Sequence, residues 1–228
     1  MMALNPLPWL APDPAPPLKP QDLQLWIIPC GADNGDPDAL WPLLSDAEQA
    51  RADRFLMPGY RDAYIRAHAG LRLILAAPLA TPPARITFQH GPKGKPAVAG
   101  ALEFNLTTSG DLALVALRWD KPVGIDCEPL TANRDMLGIA RRLFSPEQVA
   151  MLLAEDEAER PALFTRFWTA LEATVKLDGG GLFQPAAAHS PAPEITHFSP
   201  QPGYVAALAS QEPPPLTSWT ARRLLFQA

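Results

Sequence analysis

The chain interleaves short apolar runs with longer stretches of helical periodicity. LQLWIIPC, residues 23–30, is a nearly unbroken apolar run of strand length. LLSDAEQARADRFL, residues 43–56, opens with Ser45 and Glu48 in the spacing of a capping box and carries Leu44, Ala47, Ala50 and Arg51 at helical intervals before Phe55. Pro58-Gly59 is expected to break that helix. From about Tyr60 to Ala77, the residues Tyr64, Ala67, Leu71, Ile74 and Leu75 share one helical face, and Pro78, Pro82 and Pro83 are expected to end it. Residues 84–89, 101–106, 112–118 and 122–130 read as strands, the second and third flanking the turn sequence TTSGD.

Helical patterning dominates the next stretch. MLGIARRLF, residues 136–144, is followed by Ser145-Pro146-Glu147, an N-cap, a first-position proline and an acid in the first turn. Residues 160–176 are the most strongly periodic helix. Phe164, Phe167, Trp168, Leu171 and Val175 make one narrow apolar stripe, and the run GGG at 179–181 closes it. GYVAALA and SWTARRLLF read as closing strands. Helices and strands mix without a regular βαβ rhythm, which predicts an α+β fold. Each half carries one long helix and about three strands, so the chain divides near residue 120: a proline-rich extension over 1–20, then halves at 21–120 and 121–228.

Composition narrows the function classes. The 228 residues are 47% hydrophobic with a net charge of −5 and no basic stripe, so nucleic acid is not expected as a partner. No apolar run approaches membrane-spanning length, and the first twenty residues lack a signal-peptide pattern. Cys30 and Cys127 form no metal-ligand or disulfide framework, which suits a reducing compartment and a cytoplasmic location. The 28 prolines concentrate at 6–20 and 185–215, which read as extended loops.

In a strand, Val123, Ile125 and Cys127 turn one apolar face inward while Asp126 and Glu128 share the other, ~7 Å apart along the backbone. Two carboxylates so placed can converge on one hard cation such as Mg²⁺, or lie on a solvated strand face. Glu172 and Lys176, one turn apart at the edge of the helical stripe, can reach a metal and a phosphate, or form an ordinary surface pair. The loop GPKGKP, with Lys93 and Lys95, and the turn FNLTTSGD, with Asn105, Thr107 and Thr108, offer anion contacts or plain polar hairpins. The four histidines show no metal spacing.

The order of these motifs adds specificity. Gly94-Lys95-Pro96, Phe104-Asn105-Leu106, Gly124-Ile125-Asp126-Cys127-Glu128, Leu143-Phe144-Ser145-Pro146-Glu147 and Trp168-Thr169-Ala170-Leu171-Glu172-Ala173 with Lys176 follow one another. This succession resembles the 4′-phosphopantetheinyl transferases related to the surfactin-synthetase activator, over about residues 23–210. The resemblance implies a pseudo-dimer of two similar α+β halves in one monomeric chain, with coenzyme A between them and Mg²⁺ on its pyrophosphate. It implies transfer of phosphopantetheine to a serine of an acyl or peptidyl carrier protein, releasing 3′,5′-ADP. By position, Asp126, Glu128 and Glu172 would hold the metal, and Lys176 would contact the pyrophosphate. Lys95, Thr107 and Thr108 would line the nucleotide end, with Arg51 near the 3′-phosphate. Two positions depart from the family pattern: its turn histidine is Thr108 here, and the basic residue before the helical glutamate is Leu171. Both remove a donor or charge from the expected ligand site, so weaker coenzyme A binding is expected. The contrasting reading is a homologue that binds coenzyme A or a carrier without turnover.

Overall fold

The structure, a computed structural model, describes residues 7, 9–10, 17–91, 94–130, 135–180 and 192–226. In chain order the elements are β1 (Gln24–Pro29), α1 (Pro37–Leu40), α2 (Asp46–Ala52), α3 (Pro58–Leu79), β2 (Gln89–His90), β3 (Pro96–Ala97), β4 (Leu102–Ser109), β5 (Leu112–Trp119) and β6 (Val123–Pro129). They continue with α4 (Met136–Leu143), α5 (Pro146–Ala154), α6 (Arg160–Leu177), β7 (Glu194–Phe198), β8 (Tyr204–Ser210) and β9 (Thr220–Arg223). The fold is mixed α+β, as expected.

Two sheets organise it. The first has the order β4-β5-β1-β9 and the second β6-β8-β7, with β2 and β3 as a small separate pair. The sheets are antiparallel except that β9 runs parallel to β1. The C-terminal strand therefore completes the sheet that the first half begins. β1 is buried along its whole length because both of its faces are covered. Trp26 and Ile28, with Val115, Leu117 and Phe104, pack against Ala67, Leu71 and Leu75 of α3. Leu25 and Ile27, with Leu112, Leu114 and Ala221, pack against Val123, Ile125, Cys127, Ala206, Leu208 and Phe198 of the second sheet. The far face of that sheet presents Ala207 and Ala209 to Ala173 and Leu177 of α6. The layers thus run α3, sheet, sheet, α6.

Several local expectations change. Pro58 does fall between two helices, but α2 already ends at Ala52 and Pro58 itself opens α3, since at the first helical position its missing N–H loses no bond. α3 then passes through Pro78 and ends at Ala80, whose φ of 47° is left-handed. Residues 84–89 are mostly not strand: Pro83–Arg85 is a 3₁₀ turn and only Gln89 continues into β2. On α6 the stripe of large residues and the sheet-facing side are different faces. Thr169 and Ala173, both fully buried, and Leu177 face β6 and β8, while Phe167 and Trp168 pack toward α4 and α5.

Small residues on α6 meet a glycine on β6. A Cβ at Gly124 would overlap the carbonyl oxygen of Ala173 and the backbone nitrogen of Leu177. The helix therefore lies on the strand backbone itself, with no side chain between. Gly124→Ala is expected to destabilise the fold by about 3 kcal/mol through overpacking, measured as a lowered urea midpoint. An unchanged midpoint would show that α6 can lift off β6 freely.

Candidate active site

β6 carries two faces with opposite uses. Val123, Ile125 and Cys127 enter the core between the sheets. Asp126 and Glu128 point the other way, toward α6, as the strand alternation requires. β4 runs close by: Asn105 Oδ1 accepts the Ile125 N–H at 2.8 Å, and Thr107 Oγ1 donates to Asp126 Oδ1 at 3.1 Å. Across from them α6 supplies Glu172 and Lys176. All of Thr107, Thr108, Asp126, Glu128, Glu172 and Lys176 line one polar cleft of about 310 Å³.

Charge in this cleft is tightly arranged. Lys176 Nζ donates to Asp126 Oδ1 at 2.6 Å and to Thr107 Oγ1 at 3.1 Å. Asp126 is only 4% exposed, so an unpaired charge there would be costly. Trp168 Nε1 donates to Glu128 Oε1 at 3.2 Å, orienting the second carboxylate. Burial, and after it the charge of Asp126, pushes the Glu172 carboxyl above the ordinary carboxylate range, with Lys176 opposing.

Among the described residues no three His, Cys, Asp or Glu side chains are already gathered as a finished metal site. The donor set nevertheless suits a hard cation. Asp126 Oδ2 is buried without a hydrogen-bond partner, a state that an oxygen-seeking ion would relieve. Glu128 and Glu172 add further oxygens on the same cleft.

A second, larger cleft of about 950 Å³ adjoins the first and is lined by Arg51, Tyr64, His68, Arg85, Phe88 and His90 among others. Its wall is built on Arg72, which is 1% exposed. Arg72 Nη1 donates to the carbonyls of Pro83 and Ile86 at 3.0 and 2.9 Å, fixing the segment that carries Phe88. Its Nε and Nη2 hold Glu48 Oε2 at 2.8 and 2.7 Å. Glu48 also closes the capping box of α2 with Ser45. Burial alone would raise the Glu48 carboxyl, but the bonds from His68, Arg72 and Ser45 outweigh it and hold the group down at about 2, from an ordinary 4.5.

The expected site residues therefore fall into three groups. Asp126, Glu128, Glu172 and Lys176 meet in the smaller cleft together with Thr107 and Thr108, which were expected at the nucleotide end but stand on the β4 strand beside the acids, while Arg51 lines the larger cleft. Lys95 departs from expectation. Gly94 and Pro96 line the larger cleft, while Lys95 Nζ donates to the carbonyls of Val123 and Leu177 at 3.1 and 3.2 Å. The ammonium thus caps the C-terminus of α6, where the helix dipole favours a cation, and its stem passes over Gly179, whose φ is +65°. Lys93 and Gly181 lie outside the described residues. His68 and Arg85 were not singled out as site residues: His68 lies within a helix and Arg85 in a 3₁₀ turn, and only the packing brings them to the clefts.

Residues 122–222 match the profile of the 4′-phosphopantetheinyl transferase superfamily. The chain is 32% identical to 4′-phosphopantetheinyl transferase HetI of Nostoc sp. over 179 residues, 76% of each chain. It is 33% identical to 4′-phosphopantetheinyl transferase psf-1 of Bacillus pumilus over 64% of this chain and 62% of that one. It is 34% identical to 4′-phosphopantetheinyl transferase AcpT of Salmonella typhimurium over 64% of this chain and 76% of that one.

The Glu48 geometry gives a pH signature. A carboxylate whose pKa is lowered by folding contributes stability that is present above its ordinary 4.5 and is lost as pH falls toward about 2. Wild type is therefore expected to melt higher than Glu48→Gln near neutral pH, with the difference shrinking steadily below 4.5. Melting curves across that range are the check. A difference independent of pH would mean that the bonds to Arg72 and His68 do not discriminate the ionised form.

Proposed function

The chain belongs to the 4′-phosphopantetheinyl transferase superfamily, and we propose that it moves phosphopantetheine from coenzyme A to a serine of an acyl or peptidyl carrier protein. The observation that carries this reading is the single polar cleft holding Asp126, Glu128, Glu172 and Lys176 beside a larger cleft bearing Arg51. A volume of about 950 Å³ suits the nucleotide end, and Arg51 offers a cation to its 3′-phosphate. The diphosphate then reaches the carboxylate cleft.

In the proposed step the carrier serine oxygen forms a bond to the phosphorus that bears pantetheine. The bond from that phosphorus to its bridging oxygen breaks, and 3′,5′-ADP leaves with that oxygen. Glu172 is suited to accept the serine proton, because its burial and its acidic neighbour favour the protonated form. Lys176 neutralises phosphate charge from α6, and Thr107 orients both Lys176 and Asp126. Asp126, Glu128 and Glu172 would hold Mg²⁺; when bound there it would supply charge neutralisation at the phosphate oxygens.

The reading extends to the whole chain. The two sheets share one core within a single chain, which supports a monomer built as two packed α+β halves. No helix among the described residues is long and apolar enough to cross a membrane. The free, buried Cys30 and Cys127 suit a reducing cytoplasm.

Intact mass spectrometry of apo carrier proteins, incubated with the protein, coenzyme A and Mg²⁺, tests the proposal. A mass gain of one phosphopantetheine is expected with wild type, and Asp126→Asn or Glu172→Gln should slow it about 10²–10³-fold. Carriers that keep their apo mass, under conditions where coenzyme A binds, would leave only the non-transferring homologue.

A further inference from the structure

The two clefts share a border, and His68 and Leu106 line both of them. Of these two only His68 is polar. A ligand with its nucleotide in the larger cleft and its reacting phosphate among the carboxylates has to pass this residue.

His68 is built for a fixed orientation. Its ring stacks on Tyr64, one turn earlier in α3, with centroids 4.0 Å apart and planes tilted by 30°. Its Nδ1 lies 3.4 Å from Glu48 Oε1. Glu48 is itself held by Arg72 and by the capping box with Ser45. The imidazole is thus braced on one side by an aromatic ring and at one nitrogen by an anchored carboxylate. No described residue bonds its Nε2, and the side chain keeps 24% exposure. As an imidazolium it donates through Nδ1 to Glu48 and through Nε2 to an acceptor in the cleft. A phosphate oxygen is such an acceptor. Thr108, which lines the carboxylate cleft from the turn side, is exposed and offers one hydroxyl and no charge.

We propose that His68, oriented by Glu48, binds the diphosphate of a nucleotide ester such as coenzyme A where it crosses from one cleft to the other. The proposal rests on the transferase reading above and adds a residue of α3 to the ligand contacts. Helix α3 then supplies the imidazole, and the turn at Thr108 need not.

Calorimetric titration with coenzyme A and Mg²⁺ tests this on four proteins: wild type, His68→Phe, Thr108→His, and the double variant. Phenylalanine keeps the ring and its stacking on Tyr64. His68→Phe is expected to weaken binding about ten- to hundredfold with little change in melting temperature. Thr108→His in that background should recover most of the loss, because it returns an imidazole to the same cleft. Thr108→His alone should change affinity by less than about threefold, since the position at the diphosphate is already filled. Affinity of His68→Phe within about twofold of wild type overturns the proposal. So does a loss that the double variant does not recover, which would assign His68 to packing. So does a large gain from Thr108→His alone. Absence of coenzyme A binding by folded wild type overturns the transferase reading and this proposal with it, and so separates the two failures.

Discussion

Where β6 meets α6, Gly124 offers the helix only a hydrogen, and Ala173 and Leu177 rest on the strand backbone. That close approach sets the distance between the Asp126 face of β6 and the Glu172–Lys176 edge of α6. A side chain at Gly124 would push the helix outward and separate the Lys176 ammonium from Asp126 Oδ1, now 2.6 Å away. The opposite face of the strand, with Val123, Ile125 and Cys127 in the shared core, fixes which way the acids point. A one-residue slip in pairing with β8 would turn both carboxylates into that core. Lys95 strengthens the same junction by capping α6 and binding the Val123 carbonyl at the start of β6.

A second group of bonds ties the clefts to each other. Asn105 and Thr107 of β4 reach β6, and Arg72 links α3 to the wall of the larger cleft and to Glu48. Each of these polar groups is largely buried, so losing one partner strands the other at a substantial penalty. The larger cleft is therefore a built surface and not a loose gap between loops.

Much of this was legible in the sequence. Alternation in GIDCE placed Asp126 and Glu128 on one face, and helical spacing placed Glu172 beside Lys176, because both periodicities are properties of the backbone alone. Which side of α6 meets the sheet was not legible, because the large apolar stripe packs elsewhere and the close approach to β6 uses Ala173 and Leu177. Pro78 does not end α3 where the pattern expects it to, because proline's effect depends on its position within a helix, which the pattern alone does not give. Helical spacing assigned His68 no role of its own: Glu48, some twenty residues earlier, and the clefts that His68 lines are brought to it by tertiary packing. Lys95 matched a family motif, yet its ammonium is turned by the carbonyls at the end of α6, which no local pattern reveals.

The central claim is that the Asp126–Glu128–Glu172 cleft handles the diphosphate of coenzyme A together with a divalent ion. A crystal structure of the protein with coenzyme A and Mn²⁺ in place of Mg²⁺, with the ion located by anomalous scattering, tests it most directly. The account predicts an ion bonded to Asp126 Oδ2 and to the ligand's diphosphate, with the nucleotide in the Arg51 cleft and Lys176 moved from Asp126 onto a phosphate oxygen. An ion bound elsewhere, or coenzyme A lying outside both clefts while Lys176 stays on Asp126, would contradict it.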